Sequence, residues 1–369
     1  MSRGAGSDPA GRQETGLTGW RDFDGYAQIH AAQDRERRIS AAAATLVRES
    51  VLVDMTLPSA EGNITKHQVL ERAYGAGFDF VSVTVNDLDV VPASLGALRT
   101  IARVQRYVSE HEDKFVYART LGDVAAARRA GRMAVGAHFQ GTDPLEDDLD
   151  LLTTYRMLGV SHMLLAYNNG NRIAGGCADA VDPGLSPLGR RAIIEMRAAG
   201  ILCDGSHTGR RSTLEAMELY DGPFIFSHSN CAGLVGHYRN LTDEQIRACA
   251  ATGGVIGLNG CGEFLDDPMA RAESLFRHLD YLCELVGPEH VGLGLDRIAD
   301  ADASHEAVLR NRLRWPTGAD EEPKYYNFAA PETAGELVDL MLEHGYDETA
   351  VRGILGQNWM RVLAEVWRD

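Results

Sequence analysis

The 369-residue sequence lacks several features that would assign it to particular protein classes. No apolar run reaches the roughly 18 residues that a bilayer-spanning helix needs, so a membrane partner is not expected. The N-terminal segment has no apolar stretch after its first arginine, which predicts no secretory signal and favours a cytoplasmic location. The six cysteines are scattered without a Cys-X-X-Cys pair, so neither a zinc knuckle nor a redox motif is predicted.

Positive charge is also scarce, because 36 Lys and Arg residues oppose 53 Asp and Glu residues, for a formal net charge of −17. Such an excess of negative charge opposes contact with phosphates, so nucleic acid is not an expected partner. Two motifs are missing as well: a G-X-G-X-X-G after the first apolar run and a G-X-S-X-G elbow. Their absence argues against a dinucleotide-binding sheet and against a serine hydrolase.

Eight short apolar runs, rich in β-branched residues, each end in a polar cluster. They cover residues 51–57, 80–87, 133–141, 163–169, 201–207, 224–230, 254–260 and 290–296. Segments with helical periodicity separate them, among them 93–107, 147–158, 188–199 and 243–252. Eight alternating units predict an α/β protein with one (β/α)8 TIM barrel, in preference to an open doubly wound sheet.

The predicted domain organisation is simple. Residues 1–18 have a polar, Gly-rich composition that predicts disorder, and residues 19–369 are expected to form one barrel domain. The stretch 300–331 mixes charge, proline and aromatics and is long for a connection, which indicates a lid, a subunit contact or a solvated insertion. Residues 332–369 predict two amphipathic helices that pack back on the barrel.

In a parallel barrel the active site lies at the carboxyl ends of the strands, so the polar residues that end each run are the candidates. In chain order they are Asp54, Thr56, Asn86, His138, Gln140, Tyr167, Asn168, Asp204, His207, His228, Asn230, Asn259 and Asp296. His207 and His228 end consecutive runs, and Asp296 ends the last one. Neutral imidazole nitrogens together with a carboxylate are suitable ligands for one divalent metal ion.

Five motifs in this order, SHT at 206–208, FSHSN at 226–230, GHYRN at 236–240, GLGLD at 292–296 and GQNWMRVL at 356–363, resemble one known family. It is the renal-type membrane dipeptidase family, peptidase M19, a branch of the amidohydrolase superfamily, and the resemblance covers residues 45–365. The resemblance implies a zinc-dependent, often dimeric barrel hydrolase that cleaves dipeptides. It implies further that His207 and His228 bind zinc, that Arg239 binds the substrate carboxylate, and that Asp296 touches the metal centre and accepts a proton.

The sequence departs from the family pattern at the other metal ligands. Thr56 and Pro58 stand where the family has the histidine and aspartate of an H-X-D pair, and Gln140 stands where it has the bridging glutamate. Tyr167 replaces a histidine that helps to bind the scissile group. We therefore expect one zinc ion, with His207, His228, Asp296 and Gln140 as its candidate ligands.

Three functions are compatible with this reduced site. The first is hydrolysis of a dipeptide or another small carboxylate-bearing amide, with Asp296 moving the proton and Tyr167 or Asn168 stabilising the oxyanion. The second is a non-hydrolytic reaction on the same scaffold, by a lyase, dehydratase or cyclase of a specialised pathway. The third is an inactive homologue that binds or scaffolds.

His138 is an additional candidate ligand, because it precedes Gln140 by two residues on one strand. A homodimer is expected.

Overall fold

Nine parallel strands form the sheet of the computed structural model, which describes residues 34–59, 63–86, 90–316 and 327–367. The strands are β1 Val53–Leu57, β2 Phe80–Thr84, β3 Phe115–Tyr117, β4 Met133–Phe139, β5 Val160–Leu164, β6 Leu202–Asp204, β7 Ile225–Phe226, β8 Val255–Leu258 and β9 Val291–Leu293. Their side chains are almost all buried, as expected for a parallel sheet covered on both faces.

Eight of the nine strands close into a barrel. The sheet runs β2-β1-β9-β8-β7-β6-β5-β4, and β2 also pairs with β4, which completes the ring. In that closing pair Ser82 lies opposite Gly136, and Thr84 lies opposite His138. The remaining strand, β3, pairs with β4 beside the ring. The predicted (β/α)8 TIM barrel is therefore confirmed.

Helices connect the strands and cover the outside of the barrel. They are α1 Ala41–Glu49, α2 Val69–Gly75, α3 Ala93–Glu110, α4 Leu121–Arg129, α5 Leu151–Met157, α6 Pro187–Ala199, α7 Arg210–Leu219, α8 Asp243–Ala251, α9 Gly262–Leu265, α10 Ala272–Val286, α11 Ala301–Arg310, α12 Thr333–Glu343, α13 Glu348–Arg352 and α14 Asn358–Val366. Short 3-10 turns occur at Asp143–Leu145 and Pro288–His290, and a π-helical turn, Gly353–Gln357, leads into α14. Within the described ranges, no helix combines the length and hydropathy of a membrane span.

Local sequence signals explain where several helices begin and end. Ser186 caps α6 through its hydroxyl, Pro187 occupies the first turn, and Gly200 ends the helix with a φ of 76°. Thr242 and Gln245 form a capping box at the start of α8. These signals explain why the predicted segments 188–199 and 243–252 agree closely with the helices of the structure.

The predicted strands differ from the structure in three ways. Most of the apolar runs are longer than the strands, because polar residues after each strand belong to the loops over the cavity. The fourth run was placed at 163–169, whereas β5 is Val160–Leu164. Strand β3 and the helix α4 are not among the predicted elements, because a three-residue strand is too short to show periodicity. The predicted disordered segment 1–18 lies outside the described residues.

The C-terminal segment packs back on the barrel through α14. Trp359 is fully buried, and its indole Nε1 donates a hydrogen bond to the carbonyl oxygen of Leu293, 3.1 Å away. Gly292 makes this contact possible, because a Cβ there would lie 2.2 Å from the indole nitrogen of Trp359. The residues of the GQNWMRVL motif thus anchor the last helix against strand β9.

Candidate active site

A cavity of about 490 Å³ opens at the carboxyl ends of the barrel strands. Half of the candidate residues line it: Asn86, Gln140, Tyr167, Asn168, His207, Arg239 and Asp296. Its outer wall contains apolar and aromatic side chains from the segment that follows the last strand, such as Ile298, Val308, Trp315 and Phe328. That segment is therefore part of the site, although its residues 317–326 are outside the described part of the chain.

His207 and His228 face each other at the base of the cavity, with their Nε2 atoms 2.9 Å apart. The other nitrogen of His207, Nδ1, lies 2.7 Å from the side-chain oxygen of Asn168. Because the amide nitrogen of Asn168 donates to the carbonyl of Arg314, its oxygen faces the imidazole, so Nδ1 of His207 carries the proton. Nε2 of His207 therefore presents its lone pair to Nε2 of His228.

His228 is held by two hydroxyl groups. Its Nδ1 lies 2.7 Å from Oγ of Ser227 and 3.1 Å from Oγ1 of Thr56. Thr56 stands where the family has a metal-binding histidine. Its hydroxyl contacts Nδ1 of His228, the ring nitrogen that does not face His207. Burial, and then the nearby Arg239 guanidinium, lower the pKa values of His207 and His228 well below the usual value. Both rings are therefore neutral at pH 7.

Arg239 is a buried cation with unused hydrogen-bonding capacity. Its side chain is 3 % exposed, one terminal nitrogen donates to the carbonyl oxygen of His228, and the guanidinium lies over the ring of Phe264. Its Nε has no hydrogen-bond partner among the described residues. A planar guanidinium next to a cavity, with one N–H that has no partner among the described residues, is suited to a carboxylate ligand.

Asp296 follows the last strand by three residues and lines the cavity. Burial raises its pKa to about 7, although the Arg239 charge and a hydrogen bond from Asn259 oppose that rise. A carboxyl group with this pKa can both release and accept a proton near neutral pH. Its backbone has a φ of +55°, and Asn168 and His207 also adopt positive φ, so three cavity residues hold strained conformations.

Tyr167 stacks on His207, with ring centroids 4.1 Å apart and an interplanar angle of 20°. Burial, and then the charge of Asp296, raise the pKa of Tyr167 to about 12. The phenol therefore stays neutral and can donate its proton in a hydrogen bond. The side chain of Asn168 hydrogen-bonds to Nδ1 of His207 and to the carbonyl oxygen of Arg314, so in the structure it positions the imidazole.

The structure places Gln140 and His138 together, next to strand β2. The amide nitrogen of Gln140 donates to Oγ1 of Thr84, 3.1 Å away. The two nitrogens of His138 bond to the hydroxyls of Ser82 and Thr84, each 3.0 Å away. With both nitrogens engaged and the side chain fully buried, His138 does not join the pair formed by His207 and His228.

The residues present can be compared with the metal centre that the family resemblance implies. Thr56, Pro58 and Gln140 supply no histidine or carboxylate at the positions of the missing ligands. Within the described ranges, no three His, Cys, Asp or Glu side chains form a group that could hold a metal ion. A catalytic zinc usually has three protein ligands, and here only two imidazole nitrogens converge. The donor set of the described residues therefore does not fit such a centre.

A buried polar cluster below the cavity contains residues that are not among the predicted ones. His162, Ser82 and Thr84 connect the predicted residues His138 and Asp204 through hydrogen bonds. His162 lies within β5, where a histidine in a buried apolar strand is an unusual polar residue. That single signal could have drawn attention to the cluster, but it could not have shown the partners.

Two facing imidazoles, an arginine and an aspartate thus lie over the strand ends of a closed parallel barrel. The family model described as Membrane dipeptidase (Peptidase family M19) matches residues 42–308. The chain belongs to this family, so the resemblance in the motifs is confirmed. Membership in a family of dipeptidases supports a hydrolase activity. A metal cofactor is a general property of this family, so membership implies one.

Related proteins are similar over much of the chain. An uncharacterised dipeptidase of Schizosaccharomyces pombe is 27% identical over 273 residues, which cover 72% of this chain and 61% of that protein. Dipeptidase tcpJ of Claviceps purpurea is 28% identical over 267 residues, 71% of this chain and 58% of that protein. The match thus spans about three fifths of the length of these relatives.

Solved structures show the same fold. An amidohydrolase from Pseudomonas aeruginosa aligns with a TM-score of 0.80 and 24% identity, covering 88% of this chain and 99% of that one. A metallo peptidase from Rhodobacter sphaeroides, liganded with a phosphinate mimic of the dipeptide L-Ala-D-Ala, aligns with a TM-score of 0.69 and 22% identity, covering 86% and 100%. At these identities the likeness extends to the barrel architecture.

Proposed function

We propose that this protein hydrolyses a small carboxylate-bearing amide, a dipeptide or an N-acyl amino acid, in the cavity above the strand ends. The observation that carries the proposal is the buried Arg239, whose Nε has no partner among the described residues, in a cavity that Asp296 also lines. A volume of about 490 Å³ is within the usual range for small-molecule sites. Family membership and relatives named dipeptidases support the same conclusion.

Arg239 binds and orients the substrate in this proposal. Its guanidinium offers donors in a plane, which match the two oxygens of a carboxylate. Because the cation is buried and lies over the Phe264 ring, it attracts an anion with little competition from water. The far end of the substrate is thereby held while the scissile carbonyl group lies deeper in the cavity.

Asp296 transfers the proton in the proposed reaction, and Tyr167 stabilises the oxyanion. With a pKa of about 7, Asp296 accepts a proton during attack and returns it to the leaving amine. The neutral phenol of Tyr167 donates to the oxyanion that forms on the carbonyl oxygen. Asn168 acts through His207, because its side chain holds that imidazole in one tautomer.

A substrate screen with one variant tests the carboxylate assignment. Dipeptides and N-acetyl amino acids are assayed against the native protein and Arg239→Gln, next to the same compounds with a C-terminal carboxamide. Hydrogen bonds to charged groups contribute about 1.5–3 kcal/mol, so we expect kcat/KM for carboxylate substrates to fall by about 10- to 150-fold. The carboxamide compounds should lose little. An equal loss for both substrate sets would contradict the assignment of Arg239.

A non-hydrolytic reaction is the second candidate, and the replaced residues Thr56, Pro58 and Gln140 favour it. A lyase, dehydratase or cyclase would convert a carboxylate compound without incorporating solvent oxygen. Turnover in isotopically labelled water separates the two reactions, because hydrolysis of an amide places one solvent oxygen in the product acid. Specific binding of such compounds without any turnover would instead support a binding homologue.

The prediction of one zinc ion with His207, His228, Gln140 and Asp296 as ligands stays a prediction. Elemental analysis of protein purified without chelator, with His207→Ala and His228→Ala alongside, tests it. About one equivalent of zinc that disappears in both folded variants would support a single-ion centre. Two equivalents would indicate the two-zinc centre that the family resemblance implies. Protein without metal would contradict the prediction, and the reaction would then depend on side chains alone.

The homodimer and the cytoplasmic location also stay predictions. Family resemblance supports the dimer, and the scattered cysteines, none of them in a disulfide among the described residues, suit a reducing compartment. Light scattering after size-exclusion chromatography gives the mass of the assembly, and fractionation of the native cells gives the compartment.

A further inference from the structure

We propose that Asn86 and Arg103 form a second carboxylate-binding subsite, the acyl subsite, across the cavity from Arg239. The substrate then carries a carboxylate on each side of the scissile amide bond. The proposal rests on the hydrolysis proposed above and names its substrate class more closely. Two kinds of compound meet the requirement: a dipeptide with an acidic first residue, and an amino acid acylated by one end of a dicarboxylic acid.

Asn86 supplies a buried hydrogen-bond donor to the acyl subsite. It follows β2 by two residues, lines the cavity and is only 9 % exposed. Its side-chain oxygen accepts the backbone N–H of Gln140, 2.8 Å away, which fixes the orientation of the amide group. Its amide nitrogen is buried and has no hydrogen-bond partner among the described residues. Since a buried donor without a partner costs free energy, this N–H indicates an oxygen atom of a bound molecule.

Arg103 supplies a positive charge to the same side of the cavity. It belongs to α3, the helix that follows β2, and its guanidinium donates to Oγ1 of Thr100, 2.9 Å away. Thr100 and Arg103 both line the cavity, and the exposed Arg103 lies nearer to solvent than the buried Asn86. No carboxylate of the described residues forms an ion pair with Arg103. A guanidinium has five N–H donors, so those not bonded to Thr100 are suited to a carboxylate.

The order of strands around the barrel places the acyl subsite opposite Arg239. The ring runs β2-β1-β9-β8-β7-β6-β5-β4 and closes where β2 pairs with β4. Asn86 follows β2, whereas Arg239 donates to the carbonyl oxygen of His228, two residues after β7. Strands β2 and β7 are four places apart in either direction around the ring. A molecule that contacts both subsites must therefore cross the cavity.

The same ring places the groups of the proposed reaction between the two subsites. Asp296 follows β9, which lies two places from β2 and two places from β7. Tyr167 follows β5, which lies two places from each of them on the other side of the ring. The amide bond of a substrate that extends from Arg239 to the acyl subsite thus passes between Asp296 and Tyr167.

The charges of the cavity lining favour an anion with two carboxylates. Three arginines and two aspartates of the described residues line the cavity: Arg103, Arg239, Arg314, Asp296 and Asp300. The Asp300 carboxylate lies 3.6 Å from Nζ of Lys66, a cation outside the lining that offsets its charge. Positive charge is therefore in excess around the cavity, although the chain as a whole has a net charge of −17. Such a local excess attracts a dianion that the rest of the surface repels.

Two matched pairs of substrates test the acyl subsite. Glu-Ala is compared with Gln-Ala, and N-succinyl-alanine with the compound whose succinyl end is an amide. The members of each pair have nearly the same shape and differ by one charge. We expect kcat/KM of the native protein to be about 10-fold higher for the acidic member, the lower end of the contribution of a hydrogen bond to a charged group. Equal values for both members of each pair would overturn the proposal.

Arg103→Gln tests the charge of the acyl subsite. The glutamine keeps a polar side chain and removes the cation, so we expect the preference for the acidic members to disappear. Arg106→Gln is the matched control, because Arg106 is an exposed residue of the same helix that does not line the cavity. This control removes the same charge from the chain and should retain the full preference. The same preference in Arg103→Gln and Arg106→Gln would refute the role of Arg103.

Asn86→Asp tests the buried donor without removing the hydrogen bond to Gln140. An aspartate oxygen can accept the same backbone N–H, but a second, negatively charged oxygen replaces the donor. We expect kcat/KM for the acidic members to fall by at least about 10-fold, since the donor is lost and like charges repel, with a smaller change for the amide members. A full preference for the acidic members in the folded variant would contradict the position of Asn86 in the subsite.

Binding of simple diacids tests the two subsites independently of turnover. Adipate, pimelate and suberate are titrated calorimetrically into the full-length protein, each next to its own monoamide. We expect the diacid of matching length to bind about 10-fold more tightly than its monoamide. This difference should disappear in Arg103→Gln and in Arg239→Gln, because each variant retains only one cationic subsite. No difference at any length in the native protein would overturn the proposal.

The two readouts separate this proposal from the proposed function. A preference for diacids without turnover of any amide would support the acyl subsite and contradict the proposed hydrolysis. Turnover of amides without any preference for a second carboxylate would support hydrolysis and overturn the acyl subsite.

Discussion

At the residue scale, two buried carboxyl groups lie at the same end of the barrel. Oδ1 of Asp54 accepts the backbone N–H groups of Thr56, at 3.1 Å, and Leu295, at 3.0 Å. Burial raises the pKa of Asp54 to about 7, and the charge of Asp296 raises it further, against these two hydrogen bonds. Protein stability therefore depends on the protonation of Asp54 near neutral pH.

The substitution Asp54→Asn tests this dependence. A folded-state pKa of about 7, above the usual 3.8, means that the stability contribution of Asp54 is complete below about pH 4 and is lost as the pH rises through 7. An asparagine oxygen can accept the same two hydrogen bonds without a charge. We expect the free energy of unfolding of the variant, relative to the native protein, to be higher at pH 8 than at pH 5 by about 2 kcal/mol.

Denaturant titrations at the two pH values measure the effect, with the native protein in parallel. The same difference between variant and native protein at both pH values would show that Asp54 has an ordinary pKa. Asp296 titrates in a similar range and its charge acts on Asp54, so the comparison reports the coupled titration of the two carboxyl groups.

At the element scale, the pairing of β2 with β4 closes the barrel and brings Ser82 and Thr84 within hydrogen-bonding distance of His138. Ser82 and Thr84 on β2 lie opposite Gly136 and His138 on β4. The fully buried ring of Phe80 occupies the space that a side chain at Gly136 would need, because a Cβ there would lie 2.6 Å from Cζ of Phe80. A glycine is thus required at this position by close packing between the two strands.

The substitution Gly136→Ala should therefore be destabilising. Overpacking a filled core costs about 1–3 kcal/mol, so we expect a loss of that size in the free energy of unfolding. Gly75→Ala is the control, because a Cβ at the end of α2 has no atom within 4 Å and replacing a helical glycine gains up to about 1 kcal/mol. Equal effects of the two substitutions, measured by denaturant unfolding, would contradict the packing argument.

At the scale of the whole molecule, the net charge of −17 acts on stability through self-repulsion. Raising the ionic strength from about 0.01 M to about 0.15 M shortens the Debye length from about 30 Å to about 8 Å and screens that repulsion. We expect Tm to rise over this range in sodium chloride, as measured by calorimetry. A fall in Tm would mean that attractive surface ion pairs, such as Arg35 with Glu336, outweigh the repulsion.

Much of the candidate site could be predicted from sequence because barrel geometry orders it. Once apolar runs and helices alternate, the residues after each run must lie at one end, which placed Tyr167, His207, Arg239 and Asp296 in or near one cavity. The prediction could not extend to Thr84 or His162. Their partners are 54 and 42 residues away along the chain, and only strand pairing brings them together.

The sequence by itself determined the barrel, its family and the polar residues at the strand ends, because periodicity and short motifs are local properties of a chain. The tertiary structure alone decided which of those residues touch. It brought Nε2 of His207 to His228, turned the Gln140 amide to Thr84, and joined β2 to β4 so that a threonine hydroxyl meets a buried histidine. Such contacts depend on register and side-chain direction across distant strands, and no local pattern in the sequence records them.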